Sequence, residues 1–266
     1  MVTNEGVVVA DGQDSPELGR RMLADIRKVT DKPVRYLINA SPHADHTNSN
    51  EVFEGATIIA HRNAREAMAG FNKNPWGHTG GKNSPSAKFN ITLPQVVYDD
   101  KMSLVVGGKR IDLYYFGWGH TSGDTAVYLP DDKVLFMSEN FFSRIFISVG
   151  EGRAEQWLDT VAKAMKLDYV WVIPGHGEIY GMSSAQLRAE FQKCYAMVKA
   201  IVDTVKRHVD RGDSLEKTMA DADTELGEFA KLSFYESSRP DLAGLKERSV
   251  KSTYESFMKK KKTSSR

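Results

Sequence analysis

The stretch Ser41–His46, SPHADH, places three strong metal-ligand side chains, His43, Asp45 and His46, within four residues. It follows VRYLIN (34–39), a compact apolar run of strand type, so the cluster sits where a strand ends and a turn begins. Imidazole and carboxylate together suit zinc or a similar divalent ion. The stretch opens on Ser41, and a neutral hydroxyl is a much poorer ligand than imidazole.

Two more histidines share this context. His120 follows DLYYFGWG and His176 follows YVWVIPG, each in a turn of small or polar residues after an apolar strand. Loops at strand ends are where a rigid sheet brings side chains to a common point, and it is the clustering that carries the metal reading. His61, His78 and His208 lack the pattern and read as surface residues with ordinary hydrogen bonds.

Around these motifs the first two thirds of the chain alternate strands with turns and helices. GVVVA (6–10) and VRYLIN flank SPELGRRMLADIRKVT, a helix with Ser15 as N-cap and Pro16 at its first position. TIIA (57–60) is a further strand, and the helix over HRNAREAMAG is expected to stop at Gly70. Residues 71–90, rich in Gly, Asn, Pro and Ser, read as a long loop whose Trp76 and His78 are either a substrate lid or incidental aromatics in an unstructured segment. Gly80 and Gly81 in it form no phosphate-binding signature. From Val96 to Met137 the runs SLVV, KRIDLYYF, TAVYLP and KVLFM predict antiparallel hairpins. A helix over AEQWLDTVAKAMK and a strand at YVWVIP (169–174) follow. From about Met182 the chain is helical: SAQLRAEFQKCYAMVKAIVDTVKRHVDRG, a short helix from Ser214, and a last one around LAGLKERSVKSTYESFMKK. No linker separates these parts. Residues 1–182 are therefore read as one core, and 183–266 as helices packed on it rather than a separate domain.

The chain has 266 residues, 41% of them hydrophobic and 27% charged, with a formal net charge of +1. The cations are spread along the chain, which gives no clustered basic surface for nucleic acid. The run Lys259–Lys262 reads as a solvated, frayed tail. A single cysteine, Cys194, excludes an intrachain disulfide framework and fits a reducing, cytoplasmic setting. No apolar run approaches the roughly 18 residues of a membrane span. MVTNEG enters a strand almost at once and reads as the remnant of a longer N-terminal region. The sheet edge this would expose favours either a homodimer or a changed pocket wall.

Four motifs now stand in order: SPHADH (41–46), GWGHTSGD (117–124), LFMSEN (135–140) and IPGHG (173–177). Together they resemble the metallo-β-lactamase-fold hydrolases, a superfamily that also holds glyoxalase II thioesterases and acyl-homoserine lactonases. The resemblance runs from GVVVADG to PGHG. It implies an α/β fold, a four-layer αββα sandwich, here with a helical C-terminal extension. Laid on the family's H-x-H-x-D-H motif, Ser41 takes the place of the first histidine, and His43, Asp45 and His46 fill the other ligand positions. His120 and His176 match the histidines of G-H-T-x-G-D and P-G-H-G. Glu139 stands where a bridging aspartate is usual.

The two departures differ in weight. Glutamate keeps a carboxylate on a longer stem, whereas serine weakens the site it belongs to. The resemblance implies one intact metal site (Asp45, His46, His176, Glu139) and one weakened site (His43, His120, bridging Glu139, with water or Ser41 filling in). One or two zinc ions are expected, with iron or manganese as alternatives. A divalent ion lowers the pKa of a bound water from 15.7 towards about 7, which supplies hydroxide for attack on an ester, thioester, lactone or amide of a small molecule. Asp45 is the expected catalytic group, holding metal and orienting or deprotonating water. Asp11 is read either as a residue that orients a ligand histidine or as a simple turn aspartate. Trp118 is read as rim packing or pocket wall. The competing reading is a metal-binding member of the fold with little or no hydrolysis; nuclease or iron-dependent oxidoreductase chemistry ranks below both.

Overall fold

The computed structural model describes residues 1–73, 92–149, 153–232 and 244–264. These divide into two compact units, Met1–Phe116 with Thr121–Ser138, and Gly117–His120 with Glu139–Arg266.

In the first unit, β1 (Val7–Ala10), β2 (Val34–Asn39), β3 (Thr57–His61) and β4 (Val96–Tyr98) pair in parallel in that order. Helix α1 (Pro16–Val29) joins the first two, and the Ser15 hydroxyl accepts the Leu18 N–H at its start, as the sequence predicts. Side chains alternate across a strand, and both faces of this sheet are apolar. Val8, Ile38 and Ile59 enter one buried cluster, while Val7, Val9, Leu37 and Ile58 enter another with Met22, Leu23 and Ile26 of α1. Burial on both faces is the normal state of a parallel sheet, and it explains the near-continuous apolar runs.

Strands β5 (Lys101–Val106), β6 (Lys109–Tyr114), β7 (Ala126–Leu129) and β8 (Val134–Phe136) form the expected antiparallel hairpins. Their Leu104, Ile111, Leu113 and Val127 share the cluster of Val8 and Ile38, so the two sheets of this unit face each other across one core. Each such side chain contributes about 1.5–3 kcal/mol when fully buried. Val96–Tyr98 does not join the hairpins: it pairs in parallel with β3. Residues 1–3 fold back on β1, where Val8 N–H donates to Met1 O at 2.9 Å, so that edge is partly covered.

The second unit contains β9 (Phe142–Ser143), α4 (Ala154–Ala164), β10 (Trp171–Ile173), β11 (His176–Gly177), α5 (Ser184–Arg211), α6 (Leu215–Glu225) and α7 (Leu245–Ser264). Helix α5 opens on a capping box between Ser183 and Gln186 and closes on Gly212, whose φ of 78° is the left-handed conformation that favours glycine. Its buried stripe includes Leu187, Phe191, Cys194, Val198, Ile201 and Val205, at helical spacing. It packs on α4, β9 and β10 as well as on α6 and α7, so helices beyond residue 182 share a core with elements before it.

Three expectations need correction. Helix α3 (Arg62–Lys73) runs past Gly70; one glycine inside a helix costs about 1 kcal/mol relative to alanine and does not end it. The first three residues of the stretch expected to be a loop are therefore helical, and Trp76, His78, Gly80 and Gly81 lie outside the described residues. Lys259–Lys262 is not a frayed tail but the last turns of α7, where Lys260 pairs with Glu155 and Lys261 Nζ donates to Val209 O at 3.2 Å.

Candidate metal centre

In the first unit, β2 delivers SPHADH to a tight turn and a single helical turn, α2 (Ala44–Thr47), with His43 as its N-cap residue. Ser41 is fully buried and its hydroxyl accepts the His43 N–H at 3.3 Å. This is a local turn bond of the kind serine makes. His46 is buried and held on both sides. Its Nδ1 lies 2.8 Å from Asp11 Oδ2, and its Nε2 lies 3.5 Å from Asp45 Oδ2. Asp11 is therefore the orienting residue, not a bare turn aspartate. Its Oδ1 accepts the Ala40 N–H at 2.7 Å, and its Oδ2 also accepts the Ser138 hydroxyl at 2.6 Å. A carboxylate can only accept, so Nδ1 donates its proton to Asp11.

In the second unit, Glu139 lies in a 3-10 turn, Ser138–Asn140, and is 2% exposed. His176 Nε2 is 2.5 Å from its Oε1 and His120 Nε2 is 2.7 Å from its Oε2. Burial pushes this carboxyl up, but the adjacent His120 and His176, through charge and hydrogen bonds, outweigh it and hold the group well below the usual carboxylate range. Asn140 Oδ1 accepts the His120 N–H at 3.1 Å. The Phe142 ring stacks on His176 at 5.2 Å, and Trp157 meets His120 edge-on at 5.3 Å. His176 sits in a short parallel pairing of β11 with β9 rather than in a free loop. Gly177 makes that possible: its φ is +97°, and an added Cβ would lie 1.8 Å from Ser143 O.

Sequence reasoning assigned no role to Ser138, Asn140 or Asp124. Asp124 ends GWGHTSGD and is buried, accepting the Thr121 N–H at 2.5 Å and the Thr121 hydroxyl at 2.7 Å, which fixes the turn after His120. A buried carboxylate with small residues around it is a signal the motif did carry. Trp118 behaves as rim packing, with the Arg153 guanidinium 3.4 Å from its ring centre and its carbonyl accepting from Thr160. His61 and His208 are structural but not at the surface. His61 is buried against Tyr115 with Nε2 2.7 Å from Asp99 O. His208 is fully buried between Asp213 at 2.8 Å and Glu225 at 3.2 Å.

The residue types fit a divalent metal. Two tetrahedral zinc ligands lie about 3.3 Å apart when each bond is 2.0–2.1 Å long; His46 Nε2 and Asp45 Oδ2, at 3.5 Å, are spaced like such a pair. With Glu139 ionised, both imidazoles must donate to it, and each nitrogen–carboxylate contact is one a cation can replace. Groups of His, Asp and Glu close enough to hold an ion occur among the described residues. No helix among them is long and apolar enough to cross a membrane.

Several known proteins resemble this chain. The α subunit of 2,4-dinitroanisole O-demethylase from Nocardioides sp. is 23% identical over 209 residues, 77% of this chain and 59% of that protein. The type 2 metallo-β-lactamase of Elizabethkingia meningoseptica is 26% identical over 202 residues, 73% of this chain and 75% of the lactamase. Among solved structures, the inverting sec-alkylsulfatase Pisa1 from Pseudomonas sp. superposes with a TM-score of 0.69 at 15% identity, over 95% of this chain and 46% of the sulfatase. That likeness of fold extends into the C-terminal helices. The chain thus spans well under two thirds of both the demethylase subunit and the sulfatase. The family profile of the metallo-beta-lactamase superfamily matches residues 1–176, and with its mixed α/β fold and C-terminal helices the chain belongs to that superfamily.

Proposed function

We propose that the chain is a metal-dependent hydrolase of small molecules, acting on an ester, thioester, lactone or amide bond. The observation that carries this reading is the buried Glu139 carboxylate, engaged by His120 on one oxygen and His176 on the other. A buried carboxylate between two imidazoles offers donors of the kind a hard or borderline divalent cation takes, and the His46–Asp45 pair of the first unit offers the same donor types.

In this reading Asp45, His46, Glu139 and His176 hold a zinc ion tightly, and His43 and His120 complete a weaker second position. Ser41 is the reason for the difference. Its hydroxyl accepts the His43 N–H at 3.3 Å, and a hydroxyl replaces imidazole poorly. The bound ion supplies hydroxide from water near neutral pH and polarises the bond attacked. Asp45, 31% exposed at its side chain, orients the attacking water and takes its proton. Asp11, bonded to His46 Nδ1, would orient the ring so that Nε2 is the nitrogen available to hold the ion. A soluble cytoplasmic setting fits the lone buried cysteine, and residues 183–266 are read as C-terminal helices packed on the core rather than a separate domain.

The test is a hydrolysis screen with p-nitrophenyl esters, thioesters, lactones and a cephalosporin. An alkyl sulfate and an aryl methyl ether belong in it because relatives are named for such substrates. Turnover that a chelator abolishes and zinc restores supports the proposal. Full metal loading without turnover on any of them favours the metal-binding, non-hydrolytic reading.

A further inference from the structure

Among the four non-glycine residues with positive φ in the described part of the chain, two meet side chain to side chain: Asp11, at φ 59°, and Ser138, at φ 46°. Both are buried, Ser138 completely. The left-handed region disfavours any residue with a Cβ, and such strain persists only where the surroundings impose it. Glycine would satisfy the Ser138 backbone at less conformational cost, so its side chain invites a chemical explanation. That side chain donates at 2.6 Å to Asp11 Oδ2, the same oxygen that faces His46 Nδ1 at 2.8 Å.

We propose that Ser138 is a positioning residue for the metal centre. Its hydroxyl fixes the Asp11 carboxylate, which in turn fixes the ring plane and tautomer of His46. Three donors converge on Asp11: Ala40 N–H on Oδ1, and Ser138 O–H and His46 Nδ1–H on Oδ2. The Ala40 bond anchors the carboxylate to the end of β2, and the Ser138 bond braces its other oxygen from the loop after β8. Without the brace the carboxylate turns about its remaining bond and the His46 lone pair loses its fixed direction. The proposal rests on His46 being a metal ligand.

The experiment measures zinc affinity by competition with a chromophoric chelator, and thermal unfolding of the metal-free protein, for wild type, Ser138→Gly, Ser138→Ala and His176→Ala. Ser138→Gly removes the hydroxyl and relieves the backbone together; Ser138→Ala removes the hydroxyl alone. Loss of a partner that orients a ligand typically weakens metal binding about ten- to a hundredfold, and this is expected for both serine variants. Metal-free Ser138→Gly should melt no lower than Ser138→Ala, which a purely structural role for the hydroxyl would not separate from metal binding. If Ser138→Ala does not fold, Ser138→Gly decides alone. Wild-type zinc affinity in Ser138→Gly, with His176→Ala weakened, overturns the positioning role. A wild type that takes up no zinc, or a His176→Ala protein that binds it normally, instead overturns the metal-ligand reading and the proposal with it.

Discussion

His46 presents Nδ1 to Asp11 Oδ2 at 2.8 Å, with both side chains only 6% exposed. A buried imidazole donating to a buried carboxylate is how metal-binding histidines are commonly oriented, and the pair joins the end of β1 to the turn after β2. Asp11→Ala strands the Ala40 N–H, the Ser138 hydroxyl and the His46 ring nitrogen. Each donor left buried without a partner costs about 1–3 kcal/mol, so a lower urea midpoint is expected together with a marked loss of zinc affinity. Unchanged stability and unchanged affinity would mean that water replaces the carboxylate without penalty.

Gly177 tests how the second unit holds His176. A methyl group there collides with the Ser143 carbonyl and meets a φ of +97°. Gly177→Ala must open the β9–β11 pairing and move His176 away from Glu139. The expected outcome is weakened metal binding with most of the far-ultraviolet circular dichroism retained; wild-type affinity would show that the pairing does not position the histidine.

Glu139 gives the metal-free protein a pH dependence of known sign. Its pKa is depressed on folding from an ordinary value of 4.5. A carboxylate of this kind stabilises the native state above its unfolded pKa, and that contribution disappears as pH falls through the lower folded value. Metal-free wild type should therefore lose stability below about pH 4.5 more steeply than Glu139→Gln, as read from urea midpoints across pH 3–6. Parallel curves would remove Glu139 as the source.

Cys194 should be inert. It is buried in α5, with the Phe142 N–H 3.5 Å from its sulfur, and burial pushes the thiol up to about 12. Thiolate is the reactive form, so a disulfide reagent at pH 8 should label the native protein only as fast as it unfolds. Rapid labelling of folded protein would contradict the packing around β9.

Much of this was readable in the residues because the signals were local. Ser15–Pro16 marks a helix start through a bond within one turn, and the near-continuous apolar runs VVVA and YLIN mark a sheet buried on both faces. The motif histidines were legible for the same reason. Signals that depend on a distant partner were not. VVY at 96–98 carries no mark of whether it pairs with β3 or with a hairpin, and only the assembled sheet decides. His208 looks like any helix-surface histidine until Asp213 and Glu225 enclose it. Lys260 is one of four consecutive lysines until Glu155, more than a hundred residues earlier, pairs with it. Ser138 lay in a quoted motif, yet its bond to Asp11 spans 127 positions and its positive φ leaves no trace in composition.

The central claim is that this chain holds one metal ion tightly and a second weakly, with Ser41 as the cause. Metal analysis of the purified protein after dialysis, wild type beside Ser41→His and His176→Ala, tests it most directly. The account predicts about one tightly held zinc per chain in wild type, about two in Ser41→His and little in His176→Ala, because imidazole restores the ligand that serine cannot supply. Two tightly held ions in wild type, or full retention in His176→Ala, would contradict it.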